Sequence, residues 1–305
     1  MRSTWIVTPT VLLVLSGCGT EAPAPDDTDP PAEDPGAQLV AAVEGLAGPE
    51  AVKYDPDQDV YFVANFGPAA EDQRDGNGFI SRVGSDGTVA ELSFITGSDD
   101  QPLHMPRGMA LQNERLWVAD VDGVHAFHRE SGEALAFVDF RSFEPGFLND
   151  IAIGPDGTLF VTDTGRGRVY EIRDGTADIA VEDDRTGPPN GITWDEGRSA
   201  FILVPWGGGQ IIRAWTPEDG FQDVVTIDGG NFDGVEVVGG SMLLASQNDS
   251  SLWRITGDVA DRAIRLGGQP ADIGVDTRRG HVAIPYISRN LVEIWSLPGL
   301  TSAGG

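Results

Sequence analysis

The chain predicts an all-β fold: a six-bladed β-propeller with four-stranded blades, its ring closed by an N-terminal strand. Three observations carry that expectation. From residue 38 onward, short runs of β-branched and aromatic residues are separated by turn pairs such as Asp86-Gly87, Asp156-Gly157, Asp174-Gly175, Asp219-Gly220 and Gly239-Gly240. No stretch keeps a helical period over three turns. A polar residue followed by small and apolar positions recurs six times, at Glu50, Arg107, Asn149, Asn190, Asp233 and Asp272. The separations of 57, 42, 41, 43 and 39 residues fit the ~40 to 50 residues of one four-stranded blade.

Residues 1–17 read as a lipoprotein signal peptide. Arg2 is the cationic start, Trp5 to Leu15 the apolar segment, and small residues follow. Leu15-Ser16-Gly17-Cys18 resembles the lipobox of bacterial lipoproteins, which implies cleavage before Cys18 and a diacylglycerol on its thiol. Cys18 is therefore the expected lipidation site, and the protein is expected to be exported and lipid-anchored to a bacterial membrane, on the periplasmic face or the cell surface. Two or three acyl chains, at ~0.8 kcal/mol per buried CH₂, anchor stably where one does not. Residues 18–36 form the acylated cysteine and a disordered acidic tether. Gly19 to Gly36 hold six acids, five prolines and no large apolar side chain, so they bury too little to offset their ordering entropy.

The tether and signal take six acids and one base out of 48 and 20, leaving 42 acids against 19 bases in the remaining 269 residues. Such a surface repels polyanions, which excludes nucleic acid as a partner. Cys18 is the only cysteine, so neither an intramolecular disulfide nor a cysteine metal site is available. After residue 17 no apolar run reaches the ~20 residues of a membrane span. Membrane contact is expected only through the lipid anchor, and the protein is read as a monomer.

The propeller is expected over residues 37–299, with 300–305 as a disordered tail. Each repeat shows a second strand with a common ending: Val63-Ala64-Asn65, Val118-Ala119-Asp120, Val161-Thr162-Asp163, Val204-Pro205-Trp206, Ala245-Ser246-Gln247 and Ile284-Pro285-Tyr286. The sixth repeat stops near Leu297 with room for three strands, which leaves an edge. Leu39 to Val43 precedes the first blade with no blade of its own, and it is expected to supply the missing outer strand. The long first repeat carries an insertion, Phe66 to Phe79, that overhangs one channel mouth as a lid or as a tolerated surface loop.

First strands line the axis of a propeller, so the residues opening them converge on one mouth. Two carboxylates and two carboxamides there are hard oxygen ligands that suit Ca²⁺. No thiol or histidine pair favours zinc: His125 and His128 fall on opposite faces of one strand, and His281 is alone. Other patterns lead nowhere. Gly207-Gly208-Gly209 precedes a strand, not a phosphate-binding helix. Asp55, Asp57 and Asp59 have Val60 where a calcium loop needs glycine. No Gly-x-Ser-x-Gly elbow occurs.

Pro49-Glu50, Phe147-Leu148-Asn149-Asp150, Pro189-Asn190-Gly191 and Phe232-Asp233-Gly234 resemble motifs of the SMP-30/gluconolactonase/LRE family of six-bladed calcium propellers, which includes regucalcin-type lactonases and diisopropylfluorophosphatase-type enzymes. The resemblance covers about residues 45 to 297. It implies a divalent cation, usually Ca²⁺, held by Glu50, Asn149, Asn190 and Asp233, with Asp233 also catalytic, and a small-molecule substrate: a lactone such as a sugar lactone, or a related ester. Arg107, at the second axial position, is expected either to clamp an anionic substrate or to pair with Asp272 or Glu50. Asp272, at the sixth, stands where the phosphatase relatives have histidine. His104 is a candidate proton shuttle, and Trp206 and Tyr286 candidates for stacking on a sugar ring. The alternative is a non-catalytic binding propeller that recognises a protein or glycan and carries a structural ion.

Overall fold

Asp174-Gly175 and Gly239-Gly240 each place two consecutive residues at positive φ, 50° and 77° in the first pair and 58° and 81° in the second. That backbone is the tight primed turn whose twist matches antiparallel strands. Turns of this kind gather the chain into six antiparallel sheets of four strands each, arranged as the blades of a propeller. The computed structural model describes residues 36–68 and 74–300; the signal, lipidation and most of the tether expectations lie outside the described residues. Among the described residues no helix is long and apolar enough to cross a membrane.

The inner strands of blades one to six are Pro49–Asp55, Met109–Gln112, Leu148–Ile153, Pro189–Asp195, Phe232–Val238 and Gly274–Asp276. In blades one to five the strands run from inside to outside in chain order. Blade six takes its outer strand from the other end of the chain. Gln38–Val43 pairs antiparallel with Leu291–Ser296, with Val43 facing Val292 and Ala42 facing Glu293. Leu39 and Val40 are exposed, whereas Val43 and Leu46 are buried.

The apolar core lies between blades. Six clusters of buried side chains each draw on two neighbouring blades. Between blades three and four, for instance, the Phe160 ring lies 4.5 Å from Phe201 and 5.5 Å from Trp215, contacts that add to the area they bury. Packing of this sort fixes each blade against the next and so fixes what their inner strands present to the axis.

Of the insertion between the second and third strands of blade one, residues 69–73 lie outside the described residues. Its flanks dock on the segment leading into blade two. Gly76 N–H donates to His104 Nδ1 at 3.1 Å and Gly78 N–H to Leu103 O at 3.1 Å.

Candidate functional site

Four inner strands begin in the same irregular way. Pro49, Leu148, Pro189 and Phe232 pair with Asn65, Asp163, Pro205 and Ser246 of their second strands, and in all four the register then slips. The slip is a β-bulge, and bulges re-aim side chains beside functional sites. Glu50, Asn149, Asn190 and Asp233 sit inside these bulges. In blades one to three the residue at the end of the second strand, or just past it in blade two, also ties down the loop that leads into the inner strand. Asn65 Oδ1 accepts the Ala47 N–H at 3.2 Å, and Asp120 accepts those of His104 and Met105 at 2.8 and 2.7 Å. Asp163 accepts those of Gly146 and Phe147 at 3.0 and 2.8 Å.

The four bulge residues line a cavity of about 720 Å³. Asn149 is oriented by its Nδ2 donating to Thr164 Oγ1 at 3.0 Å, and that hydroxyl donates to Pro189 O at 2.7 Å. Gln247 Nε2 donates to Asp233 Oδ2 at 2.7 Å. Glu50 Oε2, Asn190 Oδ1 and Asp233 Oδ1 are buried and have no hydrogen-bond partner among the described residues. Burial lifts both carboxyls above the usual range. Asp233 is pushed up to about 7 by burial and then by the charge of Asp150, against hydrogen bonds from Gln247 and Asn190. Glu50 is raised by burial and by Asp233, while the Arg107 charge pulls it back. Partnerless buried oxygens are costly, and a cation among them would satisfy all three at once. Among the described residues no group of three His, Cys, Asp or Glu side chains converges as a metal site. The set here is two carboxylates with two carboxamides, a donor chemistry that fits a hard cation such as Ca²⁺.

The remaining predicted site residues separate. Trp206 lines the same cavity and is 41 % exposed. Arg107 does not line it: the guanidinium is buried, stacks 3.8 Å from the centre of the Phe147 ring and donates to Leu148 O at 3.1 Å. Neither expected partner, Asp272 or Glu50, pairs with it within 4 Å among the described residues, so it acts on Glu50 only as a nearby fixed charge. Asp272 is not the sixth axial residue. Its N–H donates to Glu50 O at 2.9 Å, as Gly108 N–H does to Asn149 O at 2.9 Å. Asp272 is therefore in phase with Gly108, and Ala271 holds the position that matches Arg107.

Displaced by one residue, Asp272 turns toward the other end of the inner strands. There it lines a cavity of about 340 Å³ with Lys53, Asp150 and Glu236. Lys53 Nζ bonds Glu236 Oε1 at 2.7 Å, and burial raises both Asp150, to about 7, and Asp272. His104 is likewise away from the mouth, its Nδ1 occupied by Gly76 N–H and its side chain lining a separate cavity with Asp120 and His125. Tyr286 is fully buried, its hydroxyl donating to Glu293 Oε2 at 2.7 Å, which removes it as a stacking platform. Phe66, which opens the insertion expected over one mouth, lines the mouth cavity; Phe147, Thr164, Gln247 and Ile287 line it without having been expected there. Gln247 had a visible signal, the recurring residue at the end of each second strand; the others had none.

No protein-family profile and no curated protein matches the chain. Solved structures do. A gluconolactonase from Xanthomonas campestris superposes with a TM-score of 0.64 at 16% identity, covering 86% of this chain and 89% of that one. Regucalcin from Agrobacterium tumefaciens, described as a calcium-binding protein, gives 0.64 at 15% identity over 88% and 95%. A virginiamycin B lyase from Staphylococcus aureus, solved as a catalytically inactive histidine-to-alanine variant with quinupristin, gives 0.58 at 13% over 86% and 99%. The chain thus shares the fold of SMP-30-like and related lyase propellers.

Proposed function

We propose that the protein is a calcium-dependent hydrolase of lactones or related esters, exported and held at a bacterial membrane through a lipid on Cys18. The observation that carries the hydrolase reading is the meeting of three partnerless buried oxygens, on Glu50, Asn190 and Asp233, in one cavity at the ring's mouth. Gluconolactonase and regucalcin neighbours support it at the level of the fold. Among the described residues no histidine lines the cavity, which favours hydrolysis over the chemistry of a lyase neighbour that loses activity with one histidine.

Glu50, Asn149, Asn190 and Asp233 would hold the cation, which when bound supplies a Lewis acid for the carbonyl oxygen of the substrate. The two carboxamides add oxygen ligands without adding charge. Gln247 engages one oxygen of Asp233 and leaves Oδ1 facing the cavity. With Oδ1 given to the cation, the other carboxylate oxygen, Oδ2, would take the proton from the attacking water on the lone pair that Gln247 leaves free, as the water oxygen bonds to the carbonyl carbon. The ring C–O bond then breaks, the proton passes to the leaving alkoxide, and a hydroxy acid departs. Thr164 keeps the Asn149 amide from rotating.

Asp233→Asn tests this reading. With the fold verified by circular dichroism, kcat for lactone opening is expected to fall at least ~100-fold, and calorimetry should show weaker Ca²⁺ binding. An activity that survives the exchange refutes the mechanism. If no lactone or ester is turned over with Ca²⁺ present, the binding-module reading takes its place.

A further inference from the structure

The mouth cavity has a polar floor and an apolar wall. Beside the four axial side chains, its lining holds Phe66, Phe147, Pro188, Trp206 and Ile287. Phe66 is fixed by packing on Met105 and Val121, with Ile287 against the same cluster. The polar side chains that share this lining beside the four axial ones are in part engaged already. The Thr164 hydroxyl donates to Pro189 O at 2.7 Å and accepts from Asn149 at 3.0 Å, and Gln247 Nε2 is given to Asp233 at 2.7 Å. Arg107, whose charge acts on Glu50, is buried on the Phe147 ring with a guanidinium nitrogen bonded to Leu148 O.

A sugar lactone would bring several hydroxyls against this wall. Each hydroxyl that meets only carbon there would exchange its water for no protein partner, weakening binding by roughly 10-fold. An alkyl chain gains roughly 3- to 4-fold for each CH₂ it buries there. We infer that the substrate is a lactone or ester bearing an apolar alkyl or aryl substituent, not a polyhydroxylated sugar lactone. The inference rests on the hydrolase reading above for its reactive group, and on the wall alone for its specificity.

The test compares δ-decalactone with glucono-δ-lactone, six-membered rings that differ in their substituents, with Ca²⁺ present. The protein is expected to favour δ-decalactone by at least ~10-fold in kcat/KM. Trp206→Ala should lower that value about 10-fold, the loss falling on KM. Equal rates or a preference for glucono-δ-lactone overturn the inference and leave hydrolysis standing. If neither ring opens, the hydrolase reading falls, and calorimetry still decides the wall. The pentyl-substituted six-membered lactam is then measured against glucono-δ-lactam: tighter binding of the pentyl lactam supports the inference, and equal or weaker binding overturns it.

Discussion

Asp163 is completely buried, and its carboxylate accepts N–H bonds from Gly146, Phe147 and Arg166 at 3.0, 2.8 and 3.1 Å, with the Tyr170 hydroxyl at 3.3 Å. It is a positioning residue: it shapes the loop from which Asn149 follows. Asp163→Ala leaves those donors buried and unmatched, so a loss of roughly 3 kcal/mol is expected in urea unfolding. A loss under ~1 kcal/mol would show that the loop holds itself. At this scale the sequence was informative about residue type and poor about direction. Glu50, Asn149, Asn190 and Asp233 were legible because one polar residue recurs at one phase in four blades. Asp272 was misplaced because a single residue decides which way an axial side chain turns, and blade six has Ala271, ahead of its inner strand, in the matching position. His104 was misplaced for a different reason: proximity in sequence to Arg107 says nothing about a loop that Asp120 folds away from the axis.

Among the elements, hairpins and bulges do most of the positioning. At the turn between the first two strands of blade three, Asp156 accepts the Thr158 N–H at 3.0 Å and pairs with Arg173 at 2.8 Å. The Thr158 bonds and the Arg173 guanidinium hold the Asp156 carboxyl down, at about 2. A carboxylate lowered on folding contributes stability that is present above the unfolded value near ~4 and disappears as pH falls through the folded value. Asp156→Asn should therefore be less stable than the parent at pH 6, with the gap closing between about pH 4 and 2. A gap that persists unchanged at pH 2 would mean that the turn does not depend on ionised Asp156.

The closing strand is the second elemental case. Removing residues 37–46 strips Val43 and Leu46 from the core and opens the edge of blade six. The expected loss is about 3 to 6 kcal/mol from those two side chains, read as a lower melting temperature; an unchanged one would refute closure as a source of stability. The strand itself was legible, since an apolar run without a blade and a blade without an outer strand call for each other. The bulges were not, because a slip in pairing leaves no mark in composition.

For the whole molecule, the excess of 28 negative charges is expected to repel polyanions, and the two ends of the inner strands differ in character. One end carries partnerless oxygens beneath aromatic walls; the other carries Lys53, the chain's single lysine, among Asp150, Glu236 and Asp272. The anchor is expected to act at this scale too. Cys18→Ala should move the protein from the membrane fraction to the soluble one on ultracentrifugation, without changing the melting of the propeller. Retention in the membrane fraction would overturn lipidation as the means of attachment.

The pairing of Val43 with Val292 joins residues made early to residues made much later. Blades one to five each take their strands from one continuous stretch and are free to form in order of synthesis or export. The sixth must wait until Leu291–Ser296 has been made, and until then Gln38–Val43 lacks the strand it pairs with. A chain halted anywhere short of Leu291 would present two raw margins at once, one at each terminus, each able to recruit a stranger's strand.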